Sequence, residues 1–215
     1  MASTFVNDLR LNEMATGDQS GSWGTVTNTN LELIGEAFGF GTEAITTNAN
    51  THTTTIADGG TDPGRSMFLK YTGALDSACT ITIGPNTVSK MWFIENATTG
   101  SQNIIISQGS GANVTIAAGK TKAVYSNGAG SGAAFVDAFN SLSVGALASA
   151  GAISGTTGTF SGAVTGASAT LGGIAYPTSD GSSGQALVTN GSGTVSFGSA
   201  GISTGKAIAM AIVFG

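Results

Sequence analysis

From about Thr42 to Ala138 the chain alternates short apolar-polar runs with glycine-rich breaks. Thr80-Ile81-Thr82-Ile83 and Met91-Trp92-Phe93-Ile94 carry the two-residue period of a strand with one buried face. The same pattern predicts strands at 42–47, 51–57, 66–71, 78–83, 90–96, 102–107, 112–116, 121–126 and 133–138. Breaks such as Asp58-Gly59-Gly60, Asp62-Pro63-Gly64, Gly84-Pro85-Asn86 and Asn127-Gly128 separate them. Many short strands about ten residues apart predict an all-β sandwich or barrel. Ile104-Ile105-Ile106 and Met91 to Ile94 are apolar enough to be central strands, with Trp92 in the core.

Upstream, residues 1–41 predict one short helix. Asn28 or Asn30 is placed to cap it, and Leu31, Ile34 and Phe38 follow at helical spacing, with Glu32 and Glu36 on the wetter side. Phe38-Gly39-Phe40-Gly41 ends the helix, its glycines permitting a left-handed exit. Leu9, Leu11 and Met14 form a short apolar patch. Trp23 lies in a loop, Gly21 to Gly24, and is expected to pack on the helix.

Downstream of Ala138 the pattern changes again. Only Asp180 and Lys206 carry charge there, and Gly, Ser, Thr and Ala dominate. Gly151-Ala152-Ile153-Ser154-Gly155 returns as Gly162-Ala163-Val164-Thr165-Gly166, and Phe160 returns as Leu171 at the same step. No such unit buries its large apolar residue alone, which is the physics of a repeat that stacks on copies. Three parallel chains would turn Leu142, Ile153, Phe160, Val164 and Leu171 toward a common axis. Fully extended, residues 139–173 reach at most ~115 Å. Residues 174–215 then predict a hairpin, Gln185 to Thr189 and Thr194 to Phe197 around Asn190-Gly191, and an apolar C-terminal strand. On a strand Ile208, Met210, Ile212 and Phe214 share one face, an aggregation hazard unless partner chains or further polypeptide cover it. The expected organisation is therefore all-β: an N-terminal segment with one helix (1–41), a β-sandwich (42–138), a trimeric intertwined β shaft (139–173) and a terminal hairpin with its strand (174–215).

Composition narrows the function. Charged residues make up 9% of the chain, glycine numbers 34 and the formal charge is −5. Phosphate binding needs concentrated Lys and Arg, so nucleic acid is excluded as an expected partner. Cys79 is the only cysteine and His52 the only histidine, so no disulfide, cysteine metal site or His-based triad is expected. Cys79 reads as a buried inert thiol and His52 as a strand residue. No secretory signal opens the chain, and the longest apolar stretch, Ala207 to Phe214, is too short to span a bilayer. Synthesis in a cytoplasm, without membrane insertion, is expected.

Two stretches resemble known proteins. Leu9-Arg10-Leu11-Asn12-Glu13-Met14-Ala15-Thr16-Gly17-Asp18-Gln19-Ser20-Gly21-Ser22-Trp23-Gly24, continuing through Thr27-Asn28-Thr29-Asn30-Leu31-Glu32-Leu33-Ile34, resembles the head of bacteriophage tail-fibre proteins, marine and cyanobacterial ones especially. Tyr176-Pro177-Thr178-Ser179-Asp180-Gly181 with Gly184-Gln185-Ala186-Leu187-Val188-Thr189-Asn190-Gly191 is similar to a hairpin widespread in phage fibres and other trimeric surface fibres. The resemblance implies a homotrimeric virion appendage. Its N-terminal part, with Leu9, Leu11, Trp23, Leu31 and Ile34, would attach to tail or baseplate proteins. Its distal part would face a host receptor or glycan. The chain departs from a complete fibre in lacking an evident large terminal knob.

Catalysis has little to work with. Glycoside hydrolysis needs two carboxylates about 5–10 Å apart, and the shaft has none. Asp58 with Asp62 is read as a turn, and Glu32 with Glu36 as a helix face. Gly119-Lys120-Thr121 lacks the upstream glycine of a phosphate loop. No catalytic, cofactor or metal residue is expected. A structural and adhesive fibre subunit is favoured over a tailspike-like depolymerase, and a capsid-attached head fibre or decoration protein is the third reading.

Overall fold

Short alternating runs with glycine breaks give strands and turns, and the chain follows this pattern through most of its length. The computed structural model describes residues 3–144, 148–151, 153, 155, 158–159, 161–162, 165–166, 168–201 and 204–214. Thirteen strands in four sheets accompany a helix near the N-terminus, so the fold is all-β with few helices. The chain divides into two compact units, Met1–Leu147 and Ala148–Gly215.

In the first unit, helix α1 (Trp23–Ala37) precedes nine strands: β1 (Phe40–Ala44), β2 (Thr51–Thr55), β3 (Phe68–Thr72), β4 (Cys79–Gly84), β5 (Met91–Asn96), β6 (Ile104–Ser107), β7 (Val114–Ile116), β8 (Thr121–Ser126) and β9 (Phe135–Asp137). All nine expected strands are present, with ends shifted by a few residues. They form two sheets, ordered β1-β3-β5-β8-β9 and β2-β4-β6-β7. The chain crosses from one sheet to the other with each of the first six strands. Odd and even strands therefore stack in parallel, β1 on β3 on β5 and β2 on β4 on β6. Three windings are made this way, and β7, β8 and β9 close the sheets with antiparallel pairs. Gly73 and Gly100 mark one corner of successive windings. Both take positive φ, and a Cβ on either would strike the carbonyl oxygen of Ile45 or Leu75.

Between the sheets lies one core. Leu69, Tyr71, Trp92, Ile94, Val124 and Phe135 from the first sheet meet Cys79, Ile81, Ile83, Ile104, Ile106 and Ile116 from the second. The Trp92 and Phe135 rings sit 5.4 Å apart. Cys79 is buried and free as expected, and burial pushes its thiol pKa up.

Several expectations about the helix are corrected. It starts at Trp23, with Ser22 as N-cap making no side-chain cap bond. Trp23 is thus a helical residue and not part of a loop, and it is exposed. Asn30 lies inside the helix because its amide has another use: it accepts from Asn12 N (3.0 Å) and donates to Asn12 O (2.9 Å), pinning the N-terminal arm. At the other end Phe38 is in the αR region and Gly39 has no positive φ, so the exit is not left-handed.

The second unit contains two small hairpins, β10 (Thr170–Leu171) with β11 (Ile174–Ala175) and β12 (Gln185–Thr189) with β13 (Val195–Ser199). The second is the expected Asn190-Gly191 hairpin. The first spans the anticipated 173/174 boundary, turning on Gly172 and Gly173, both at positive φ. The expected C-terminal strand is instead helix α2 (Thr204–Phe214). Ala207, Ala209 and Ala211 favour helix. A helix also satisfies its own backbone amides, whereas a strand needs a neighbour. On this helix Ile208 and Ile212 share a face, one turn apart, and Met210 points away from both.

Candidate functional site

Among the described residues of the first unit, several charged groups are held in internal contacts, the most buried of them around Asp62 and Arg65. Asp62 caps a short 3-10 turn, Pro63–Arg65, accepting Arg65 N at 2.7 Å on Oδ1 and Ala57 N at 2.9 Å on Oδ2. The Arg65 side chain is fully buried. Its Nη2 donates to Ala57 O and Gly60 O at 2.7 Å and to Asp62 Oδ2 at 2.9 Å. Glu36 of α1 accepts Asp62 N at 2.8 Å and lies 3.9 Å from Arg65 Nε. Lys90 Nζ donates to Arg65 O and stands 4.7 Å over the Trp92 ring, while Trp92 Nε1 donates to Gly64 O at 2.8 Å. Burial lowers the Lys90 pKa to about 8, against the opposing pull of Asp62.

This cluster fixes how α1 sits on its unit. Glu36, expected on the wet side, faces the cluster, and Leu33 and Ala37 are the helix's buried apolar residues. Trp23, Leu31, Ile34 and Phe38 consequently form an exposed stripe. At 100° per residue they lie within an arc of about 80°, and all four are exposed. Leu31 and Ile34 share a side of the helix, as their spacing suggests, and that side faces solvent. Leu9 and Leu11 are half-buried in the N-terminal arm and do not join that stripe as exposed residues.

His52 has more company than its solitary place in the sequence promised. Its Nε2 lies 2.7 Å from Glu43 Oε1; Glu43 Oε2 accepts from Thr54 Oγ1 at 2.9 Å, and Thr54 Oγ1 is 2.7 Å from Tyr71 Oη. Burial raises the Tyr71 phenol pKa far above its ordinary value. The network ties β1, β2 and β3 together across the two sheets and contains no nucleophile activated by the imidazole. A cleft of about 190 Å³ between the N-terminal arm, α1 and the loop after β2 is lined by Phe5, Asn12, Val26, Asn30 and Asp58. Its carboxylate is paired with Arg10 at 2.7 Å. Among the described residues no group of three His, Cys, Asp or Glu side chains is placed to hold a metal, and no helix is long and apolar enough to cross a membrane.

What the chain does offer is apolar surface. On the outer face of the five-stranded sheet, Phe40, Phe68 and Phe93 occupy one row across β1, β3 and β5. The Phe40 and Phe68 rings stack at 5.2 Å with 19° between planes. Sequence reasoning missed this row. Its signal was present, since one phenylalanine recurs per winding.

The residues expected at a trimer axis divide into two groups. Leu142, Ile153, Leu171, Ile208, Met210 and Ile212 are all exposed in the single chain, Ile153 at 73% and Ile212 at 78%. Phe160 and Val164 lie outside the described residues. No described residue from Ala148 onward is buried. No family model matches this chain, and neither a curated protein nor a solved structure matches it.

Proposed function

We propose that this chain is a structural subunit of a bacteriophage tail fibre, acting by binding and not by turnover. Three copies would align their repeat segments and bury the apolar residues that one copy leaves in water. The N-terminal arm and the α1 stripe would hold tail or baseplate proteins, and the distal end would meet a host receptor or glycan. Three identical tips gain from high effective concentration when their sites are engaged together.

One observation carries this reading. The described residues from Ala148 onward include two hairpins and a helix, and none of them is buried, although Ile153, Leu171, Leu187, Ile208, Met210 and Ile212 are large and apolar. Such a segment gains stability only by covering those groups with another surface. Its near lack of charge favours further copies of itself as that surface.

The test is antibody labelling of intact phage particles in the electron microscope. Label along tail fibres is expected. Label confined to the capsid would favour a head fibre, and label nowhere on the particle would overturn the proposal.

A further inference from the structure

The outer face of the five-stranded sheet carries a row of large apolar residues. Its first row is Phe40, Phe68, Phe93 and Ala123, in register across β1, β3, β5 and β8. Beside it Met91 pairs with Tyr125, which pairs with Val136 of β9. Alternation along each strand turns these residues away from the core, whose inward neighbours are Leu69, Trp92, Ile94, Val124 and Phe135. Phe40 is 62% exposed, Met91 42% and Tyr125 43%. At about 200 Å² for a large side chain, those three alone leave roughly 300 Å² of largely apolar surface in water. Phe68, Phe93 and Val136 are half-buried and extend the same patch.

A patch of this size is comparable to the largest apolar patch on a typical monomer, and such patches are often functional. Charge decides what covers it. The next row holds Thr42, Lys70, Glu95 and Thr121, and Lys70 Nζ lies 3.7 Å from Glu95 Oε1. The face therefore cancels its own charge, in a chain that carries −5 overall. A basic or acidic partner finds nothing here to steer it, whereas a neutral apolar face matches another copy of itself.

We infer that this sheet face is a second interface between copies of the chain, resting on the threefold association proposed above. Three sheets turn their phenylalanine rows toward one axis, forming the sides of a prism. The face need not hold the trimer unaided. One side of a stable interface takes about 800 Å², so this face adds to an association that other surfaces also hold.

The test uses the full chain with a single reporter thiol, since Cys79 is buried. Met91→Cys places the reporter within the face, and Thr82→Cys places it on the exposed outer side of the four-stranded sheet. Maleimide labelling of Met91→Cys is expected to be at least about tenfold slower than that of Thr82→Cys in a sedimenting trimer. Adding Phe40→Glu and Tyr125→Glu, both at exposed positions, should bring the Met91→Cys rate up to that of Thr82→Cys while the trimer persists. Equal rates without those substitutions, in a chain that still sediments as a trimer, would overturn the sheet interface and leave the fibre reading standing. A monomer in sedimentation would overturn both.

Discussion

Replacing Asp62 with alanine strips the buried Arg65 guanidinium of its nearest counter-charge. Three hydrogen bonds go with it, from Ala57 N, Arg65 N and Arg65 Nη2, all at 2.7–2.9 Å. Arg65 is 0% exposed, so water cannot reach in to compensate without opening the loop. Breaking a buried ion pair by removing one partner costs about 3–5 kcal/mol. Whole-domain stability is about 5–15 kcal/mol, so a large share is at stake. With a urea slope of about 2 kcal/mol per molar, the unfolding midpoint should fall by roughly 2 M. Fluorescence of buried Trp92, read in a Trp23→Phe background, reports the first unit. Asp58→Ala is the matched control, because that carboxylate is half exposed and pairs with Arg10 near the surface. Exposed pairs are worth about 1 kcal/mol or less. If Asp62→Ala shifts the midpoint no more than Asp58→Ala does, the cluster does not fasten the loop and α1 as described.

Three further outcomes are expected. Leu33→Ala should cost about 2–5 kcal/mol in the same unfolding assay; Trp23→Ala and Leu31→Ala should change it by under about 0.5 kcal/mol and instead reduce the chain's incorporation into particles. Lys90 has a folded pKa lowered to about 8 from 10.5, so the unfolded state binds more protons between those values and stability should rise with pH there. The rise is isolated as a gap between wild type and Lys90→Met that moves in the wild type's favour from pH 8 to 10, because Cys79 and Tyr71, with raised pKa values, work in the opposite sense as pH climbs further; a constant gap refutes it. Phe160→Asp would bury three unpaired charges at the proposed axis and should abolish trimers in light scattering.

The strands were legible because alternation and glycine breaks are local. Thr80 to Ile83 and Met91 to Ile94 announce a buried face without reference to partners. Their pairing was not legible, since a two-residue period names neither the neighbour nor its direction, and the parallel winding of β1 to β6 emerges only from contacts between residues about 25 apart or more. Arg65 follows Asp62-Pro63-Gly64, which reads as an ordinary surface turn. A charged side chain gives no sign that it will be buried against a carboxylate capping that turn. In α1 the spacing of Leu31, Ile34 and Phe38 was real, but spacing marks a stripe without saying which side of the helix finds the core. Leu33, Ala37 and Glu36 take that side because Asp62 and Arg65 await Glu36 there. The C-terminal residues alternate large and small and so fit a strand, until three alanines and the want of a pairing strand favour α2.

Threefold self-association is decided by sedimentation equilibrium of the full chain across a range of concentrations. A mass of about 63 kDa is predicted, three times the 21.1 kDa of one chain. A single folded species at 21.1 kDa, with Ile153 and Ile212 left in water, would contradict the account.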